Sequence, residues 1–115
     1  INEKLTGRAN FRCTTSDYLP IAGPVPDRAA MLEDYAKLRR DAKTPMTTLG
    51  AYLPNLYVNC GMGSRGLSYA PLTAELLAAE IAGEKTILND TLPEELCQAM
   101  HPVRFLIRDL KRNRI

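Results

Sequence analysis

The sequence has few of the residues that several kinds of functional site require. It contains no tryptophan, one histidine and three cysteines, and no C-x-x-C pair. Without tryptophan, an aromatic platform for stacked bases is not expected. The single histidine, His101, cannot complete a metal site with thiols so far apart. We therefore expect no metal, and we interpret Cys13, Cys60 and Cys97 as reduced, small core residues of a cytoplasmic protein.

Long apolar runs and known hydrolytic motifs are also absent. No stretch is long enough to cross a bilayer, and no charged-then-apolar leader is present, so no membrane association is expected. Met62 stands where a G-x-S-x-G motif needs its first glycine, and H-E-x-x-H does not occur. A self-contained hydrolase or metalloenzyme is not expected. With 115 residues beginning at Ile1, the chain is one domain or a piece of a longer protein.

The central stretch, residues 56–83, predicts a short buried strand, a glycine loop and an apolar helix. A β-prone Leu-Tyr-Val run follows the turn pair Pro-Asn. Pro71 suits the first turn of a helix over residues 70–82, and Gly83 suits its left-handed end. This helix has few polar residues, so we expect its surface to be covered by a sheet or another helix.

The glycine loop of this stretch reads G-x-G-x-x-G, with Gly61, Gly63 and Gly66. Backbone N–H groups and a helix dipole at such a loop favour an anion or an electron-rich ring edge. A dinucleotide fingerprint would need a βαβ unit, and residues 84–92 offer at most a very short extended piece. The remaining alternative is that the glycines only permit a tight turn.

The rest of the chain predicts alternating extended and helical segments. Phe11 and Cys13 share one face of a candidate strand, and Gly-Pro and Pro-Asp pairs close the extended run after Ala22. Asp27 can cap a helix whose apolar face carries Met31, Tyr35, Leu38 and Ala42. The expected class is α/β or α+β, with strands at 8–22 and 47–60, helices at 28–42, 70–82, 93–100 and 103–112, and three segments at 1–55, 56–83 and 84–115.

The carboxyl-terminal residues are the basic part of the chain. Residues 101–115 contain five basic residues and one acidic residue. These cations could contact RNA phosphates, or they could be ordinary cations near helix ends. The candidate RNA-binding residues are Arg104, Arg108, Lys111, Arg112 and Arg114.

Two segments resemble amine-oxidising flavoenzymes of the D-amino-acid oxidase and glycine oxidase type. FRCTTSDYLPIAGPVPD looks like their substrate-domain segment, and LYVNCGMGSRGLSYAPLTAELLAAEIAG resembles their carboxyl-terminal FAD-contacting segment. The whole chain is similar to the carboxyl-terminal part of the bifunctional flavoenzymes that modify the wobble uridine of tRNA. In that family the resemblance implies oxidative removal of a carboxymethyl group from carboxymethylaminomethyl-uridine, with release of glyoxylate. It also implies an S-adenosylmethionine-dependent methyltransferase half elsewhere in the protein.

The resemblance also implies roles for particular residues. Arg12 matches the arginine that receives the substrate carboxylate, and the loop matches the segment along the pyrimidine edge of the flavin. Expected partners are tRNA, the amino-terminal part of the same protein and, for this piece alone, a second copy of itself. Without the amino-terminal FAD fingerprint, the FAD site would be incomplete and the piece inactive. The alternative is a stand-alone RNA-binding module that uses the basic tail. The expected cofactor-contacting residues are Gly61, Gly63, Ser64, Arg65, Gly66 and Leu67.

Overall fold

The computed structural model describes residues 6–45 and 50–115, and within these ranges short helices surround a two-stranded sheet. The mixture of helices and strands confirms the expected fold class. No helix in the described part of the chain has the length and apolar character needed to span a membrane. In chain order the elements are β1 (Ile21–Pro26), α1 (Arg28–Asp34), a 3₁₀ helix (Ala36–Arg39), β2 (Tyr52–Cys60), α2 (Gly66–Ala82), α3 (Ile87–Thr91), α4 (Glu94–Met100) and α5 (Arg104–Lys111).

Strands β1 and β2 pair antiparallel with an irregular register. Pro24 lies opposite Tyr57 and Pro26 lies opposite Tyr52, so β2 has a longer segment than β1 between these pairs. Asn55 in that segment has a positive φ of 57°. The turn predicted from the Pro-Asn pair is therefore an irregularity inside a strand. The two prolines predicted to close an extended run lie inside β1, which has a single neighbouring strand and can lose outward-facing N–H donors.

The core forms where α1, the 3₁₀ helix and α5 meet. Met31, Tyr35, Leu38 and Leu110 make one buried cluster. The helix predicted over 28–42 is shorter than expected, because α1 ends at Asp34 and the 3₁₀ helix follows it. A 3₁₀ helix has three residues per turn, so Leu38 lies on the same face as Tyr35. The predicted burial of the first three residues is confirmed, but Ala42, predicted on the same face, is exposed. Packed against this cluster are Leu32, Val103, Leu106, Ile107 and Ile115.

The strand predicted over residues 8–22 is wrong for most of its length. Only Thr14 in that range, before β1, makes a ladder contact, an isolated antiparallel bridge with Met62. Cys13 adds one hydrogen bond, since its carbonyl accepts from the Gly63 N–H at 2.9 Å. Phe11 is fully exposed. An extended run with alternating residues becomes a strand only when another strand lies beside it, and that neighbour is lacking among the described residues.

The apolar helix begins earlier than predicted. It runs from Gly66, so Pro71 lies inside the helix rather than in its first turn. The missing proline N–H leaves the Leu67 carbonyl without its usual helical donor. Leu67 is fully exposed, so water can hydrate that carbonyl. The predicted end is confirmed, because Gly83 caps the helix with a left-handed φ of 68°.

The carboxyl-terminal third contains three helices, and the sequence predicts two of them. The predictions over 93–100 and 103–112 match α4 and α5 to within one residue at each end. Residues 84–92, whose sequence offers at most a very short extended piece, contain α3 and no strand. Thr86 lies just before that helix, and its hydroxyl accepts from the Leu88 N–H at 3.3 Å. Side-chain acceptors at this position favour a helix start.

The predicted strand over 47–60 is also revised. Residues 47–49 lie outside the described residues, and β2 begins at Tyr52. His101 caps the end of α4, and it is half-buried. Gly23 lies close to the residues that follow α4, because a side chain at Gly23 would meet the Pro102 ring at 2.9 Å. The absence of a Cβ there lets β1 approach the end of α4.

Candidate functional site

One cleft of about 340 Å³ joins the extended amino-terminal segment to the glycine loop. The segment and loop are held together by the Thr14–Met62 bridge and by the Gly63 N–H that donates to the Cys13 carbonyl. These contacts bring two regions about fifty residues apart in sequence into one wall. The lining consists of Arg12, Thr14, Tyr18, Gly61, Met62, Gly63, Ser64 and Arg65.

Two of the three loop glycines are required by the backbone and by crowding. Gly61 has a φ of +73°, and a side chain there would meet the Thr15 methyl carbon at 2.9 Å. Gly63 has a φ of +58° and a similar contact with the Thr14 methyl carbon at 3.1 Å. Gly66 differs, because its φ is ordinary and its nearest neighbour would be Met62 at 3.7 Å. The first two glycines therefore fix the path of the loop beside the threonines, and the third does not.

The start of α2 leaves backbone donors at the cleft. The N–H groups of Ser68 and Tyr69 both donate to the Arg65 carbonyl, at 3.0 and 2.9 Å. Among the residues that the structure describes, the amides of Ser64, Gly66 and Leu67 have no hydrogen-bond partner. Arg65 caps the helix without a side-chain hydrogen bond. Free amides and a positive dipole end thus lie where the loop enters the helix.

Arg12 and Arg65 supply positive charge to the same cleft. Both side chains are exposed, and neither has a hydrogen-bond or ion-pair partner in residues 6–45 and 50–115. A free guanidinium can hold a carboxylate with two parallel hydrogen bonds. Cys13, next to Arg12, is a free and exposed thiol, so its predicted place in the core is wrong. The other two thiols are free and half-buried.

The turn at residues 15–19 belongs to the site, although no local sequence pattern indicates this. Ser16 and Asp17 turn the chain there. The turn also carries Tyr18 into the cleft, with a backbone φ of +61°. The Tyr18 N–H donates to the Thr15 carbonyl at 3.2 Å, which closes the turn. A bulky residue in the left-handed region is uncommon, and the sequence gives no local sign of it.

Arg104 of α5 holds this turn from the outside. Its Nε lies 2.9 Å from Asp17 Oδ2, and its Nη2 lies 3.1 Å from Asp17 Oδ1. Nη2 also donates to the Leu19 carbonyl at 3.0 Å. The hydrogen bonds from Arg104 hold the pKa of the Asp17 carboxyl well below its ordinary value, although partial burial opposes this shift.

The five basic residues of the tail occupy different surroundings. Arg104 and Arg108 both lie over the Phe105 ring, 4.2 and 4.9 Å from its centroid, and Arg108 also donates to the Ser16 hydroxyl. Both side chains are partly shielded and engaged within the chain. Lys111, Arg112 and Arg114 are exposed.

A second, smaller cavity of about 70 Å³ lies between α2, α4 and β1. Burial raises the pKa of Glu80 and lowers the pKa of His101, which Arg104 lowers further. The His101 ring meets Tyr52 edge-on at 5.6 Å, and its Nδ1 accepts from the Val103 N–H. Burial also raises the pKa of Tyr52. This polar cluster is a packing junction separate from the cleft that contains Arg12.

Comparison with known proteins identifies relatives for nearly the whole chain. A protein named tRNA 5-methylaminomethyl-2-thiouridine biosynthesis bifunctional protein MnmC from Pseudomonas aeruginosa is 54% identical over 110 residues, 96% of this chain. Proteins of the same name from Pseudomonas putida and Saccharophagus degradans are 50% and 49% identical over 112 residues, 97% and 96% of this chain.

The chain spans only 15–16% of the length of these curated relatives. The resemblance noted in the sequence is confirmed by these matches. The family described as FAD dependent oxidoreductase (DAO) matches residues 2–80, which include Arg12 and the entire glycine loop. The chain therefore belongs to the DAO family of FAD-dependent oxidoreductases.

Proposed function

We propose that this chain is the carboxyl-terminal part of a FAD-dependent oxidoreductase that acts on the wobble uridine of tRNA. The proposed reaction oxidises the CH–NH group of carboxymethylaminomethyl-uridine to an imine, and water then hydrolyses the imine, which releases the carboxymethyl group as glyoxylate and leaves an aminomethyl group. The observation that carries the proposal is the shared cleft, in which Arg12 and the glycine loop line one space. The names of the relatives, which refer to tRNA 5-methylaminomethyl-2-thiouridine biosynthesis, support the choice of substrate.

The donor set at the loop fits the electron-rich edge of a flavin. The free amides of Ser64, Gly66 and Leu67 and the start of α2 would stabilise negative charge on that edge. Gly61 and Gly63 have no side chains, so a ring can approach the backbone of the loop at these two positions. When bound, FAD supplies the acceptor for the hydride removed from the carbon beside the secondary amine.

Arg12 is proposed to receive the substrate carboxylate. The carboxymethyl group ends in a carboxylate, and Arg12 is exposed in the cleft with its fork free. Binding through two charge-assisted hydrogen bonds would fix the carbon to be oxidised relative to the loop. Arg65 is a second cation of the same cleft and is proposed to contact the flavin that binds at the loop.

The basic tail is proposed to face tRNA. Arg104 and Arg108 are engaged within the chain, so they are proposed to contribute charge rather than direct phosphate contacts. Lys111, Arg112 and Arg114 are exposed and carry this part of the proposal. Because Arg108 donates to Ser16, the tail extends from a helix that contacts the turn carrying Tyr18, a residue that lines the cleft.

The rest of the polypeptide is proposed to cover the exposed apolar surface and to complete the FAD site. The chain exposes 8772 Å², whereas a compact protein of its mass exposes about 6,300 Å². Its radius of gyration is 17.7 Å, against about 13 Å for a compact domain of this length. The chain alone would then be inactive and prone to self-association. An S-adenosylmethionine-dependent methyltransferase half is proposed for the longer protein, in agreement with "bifunctional" in the names of the relatives.

The test is substrate turnover by the full-length protein with single arginine changes. Arg12→Ala should lower kcat/KM for tRNA carrying carboxymethylaminomethyl-uridine by about 100-fold, while bound FAD stays unchanged. Arg8→Ala is the matched control, because Arg8 is exposed on the same segment but does not line the cleft. Equal kinetics for the two variants would remove Arg12 from the site.

A stand-alone RNA-binding module is the second candidate, and the three exposed cations of the tail favour it. It requires salt-dependent binding of tRNA by the isolated chain, with loss of binding when Lys111, Arg112 and Arg114 are replaced together. Absence of binding at low salt would exclude this candidate.

A further inference from the structure

The turn at residues 15–19 has a feature that the proposed function does not use. Tyr18 lines the cleft, its side chain is 73% exposed, and its backbone has a φ of +61°. A tyrosine in the left-handed region is strained, because its Cβ crowds the following carbonyl. Such conformations persist when the surrounding contacts impose them, and they concentrate at functional sites.

The contacts that impose this conformation lie on both sides of Tyr18. Asp17 Oδ1 accepts from the Leu19 N–H at 3.2 Å. The Thr15 hydroxyl lies 2.9 Å from the same oxygen and 2.6 Å from the Leu19 carbonyl. Hydrogen bonds therefore connect Asp17 and Leu19, which flank Tyr18, with each other and with Thr15. None of these bonds involves the tyrosine side chain.

Arg104 ties the same turn to α5. It uses Nε and Nη2 on Asp17 and Leu19, and Nη1 on the carbonyls of Met100 and His101 at 3.1 and 3.4 Å. Every nitrogen of the guanidinium is thereby engaged, and the side chain is only 13% exposed. A planar fork held at both edges fixes the turn in position and in orientation. Arg108 adds a bond to Ser16 at 3.1 Å.

We propose that Tyr18 contacts the substrate in the cleft, and that Arg104, acting through Asp17, is the residue that positions it there. An exposed aromatic ring and a free guanidinium that line the same cleft fit a ligand that has a planar ring and a carboxylate. Under the proposed function, on which this inference rests, the planar ring is the modified uracil base. Tyr18 then stacks on the base while Arg12 holds the carboxylate.

The test compares KM values for tRNA carrying carboxymethylaminomethyl-uridine in variants of the full-length, FAD-loaded protein. Tyr18→Gly removes the ring and tolerates the positive φ, so it should raise KM about tenfold or more without lowering the melting temperature. Tyr18→Phe retains the ring and should stay within about twofold of the unmodified protein. A purely structural turn would give unchanged KM in both variants.

The role of Arg104 is tested by Arg104→Lys and by the double variant with Tyr18→Gly. Arg104→Lys keeps the charge but loses the fork, so KM should rise several-fold with FAD content unchanged. If Arg104 acts through Tyr18, adding Arg104→Lys to Tyr18→Gly should give no further increase in KM. If the two substitutions instead raise KM independently, so that their fold-changes multiply in the double variant, Arg104 does not position Tyr18.

The two levels of the proposal fail in different ways. An unmodified full-length protein that binds no flavin, or that leaves the modified tRNA unchanged, refutes the proposed function together with this inference. An active protein whose KM is unaffected by Tyr18→Gly refutes the inference alone, and the role of Arg12 would be unaffected.

Discussion

The two ends of the molecule differ in how well they bury their apolar residues. At one end α5 packs on α1 and the 3₁₀ helix, and Met31 and Leu110 have no exposed surface. At the other end β2 and α2 present large apolar side chains to solvent, including Leu56 at 48% and Ile81 at 55% exposure. Thr73 is the only described residue of α2 that is fully buried.

The packed end buries its own apolar residues, and the end that contains α2 does not. A helix as apolar as α2 is normally covered, but its contacts with β1 and β2 leave Leu67 and Ile81 exposed. The cleft lies at the uncovered end, beside the start of α2. We therefore propose that one further part of a longer polypeptide both covers this face of α2 and completes the site.

The largest expected effect comes from truncating the packed end. Leu110→Ala should lower the free energy of unfolding by about 2–4 kcal/mol, because it removes a fully buried side chain. Ile81→Ala, at the uncovered end, should cost at most about 0.5 kcal/mol in this chain alone. Chemical denaturation of the two variants checks the contrast.

The same pair of variants sharpens the comparison in the full-length protein. If a further part of the polypeptide covers α2, as proposed, Ile81→Ala should there cost about 1–3 kcal/mol, approaching the effect of a core truncation. An effect as small as in the isolated chain would mean that this face stays open to solvent.

The glycine loop should respond next, through flavin content. Gly61→Ala places a methyl group 2.9 Å from the Thr15 methyl carbon at a φ of +73°, so the loop must move and bound FAD should fall severalfold. Gly66→Ala is the matched control, with ordinary φ and a nearest contact of 3.7 Å. Absorbance of the purified full-length variants measures the effect. Equal flavin in both would show that the loop only turns the chain.

The ion pair between α5 and the turn should have a smaller and pH-dependent effect. Asp17→Asn should cost about 1 kcal/mol at neutral pH, since solvent screens a carboxylate that is one-third exposed. The lowered pKa of Asp17 means that this stabilisation is present above the unfolded-state pKa and is lost as the pH falls through the folded-state pKa. The two stability curves should therefore converge in acid. A constant difference down to the lowest pH would contradict this.

The smallest expected effect belongs to His101. Burial lowers its pKa, so the folded state favours the neutral ring, whose Nδ1 accepts from the Val103 N–H. The stabilisation from the neutral ring is complete above the unfolded-state pKa of about 6.5 and declines as the pH falls through it. His101→Gln should flatten the pH dependence of stability between about pH 5 and 7. A slope equal to that of the unmodified chain would exclude His101 as its source.

Local signals in the sequence predicted the helix caps and most of the core. Asp27 caps α1 as expected, with its carboxylate accepting from the Ala29 and Ala30 amides. Gly83 and the burial of Met31, Tyr35 and Leu38 also follow from local pattern. These features depend on neighbours a few residues away, so a single sequence contains the information.

Long-range partners account for what the sequence did not predict. The strand expected at 8–22 depends on a neighbouring strand, and only Thr14 in the segment before β1 has one. Arg104 reaches Asp17 across 87 residues, and its five hydrogen bonds could not be inferred from a basic tail. The loop was identified from its glycine pattern and Arg12 from resemblance to a family, whereas their shared cleft is a property of the folded chain.

The central claim is that the amides at the start of α2 hold a flavin against the cleft that contains Arg12. The most direct test is the visible absorbance spectrum of the purified full-length protein, together with its FAD content. The account predicts a yellow protein with about one FAD per polypeptide, and its loss in Gly61→Ala. A folded, colourless protein that does not take up added FAD would contradict it.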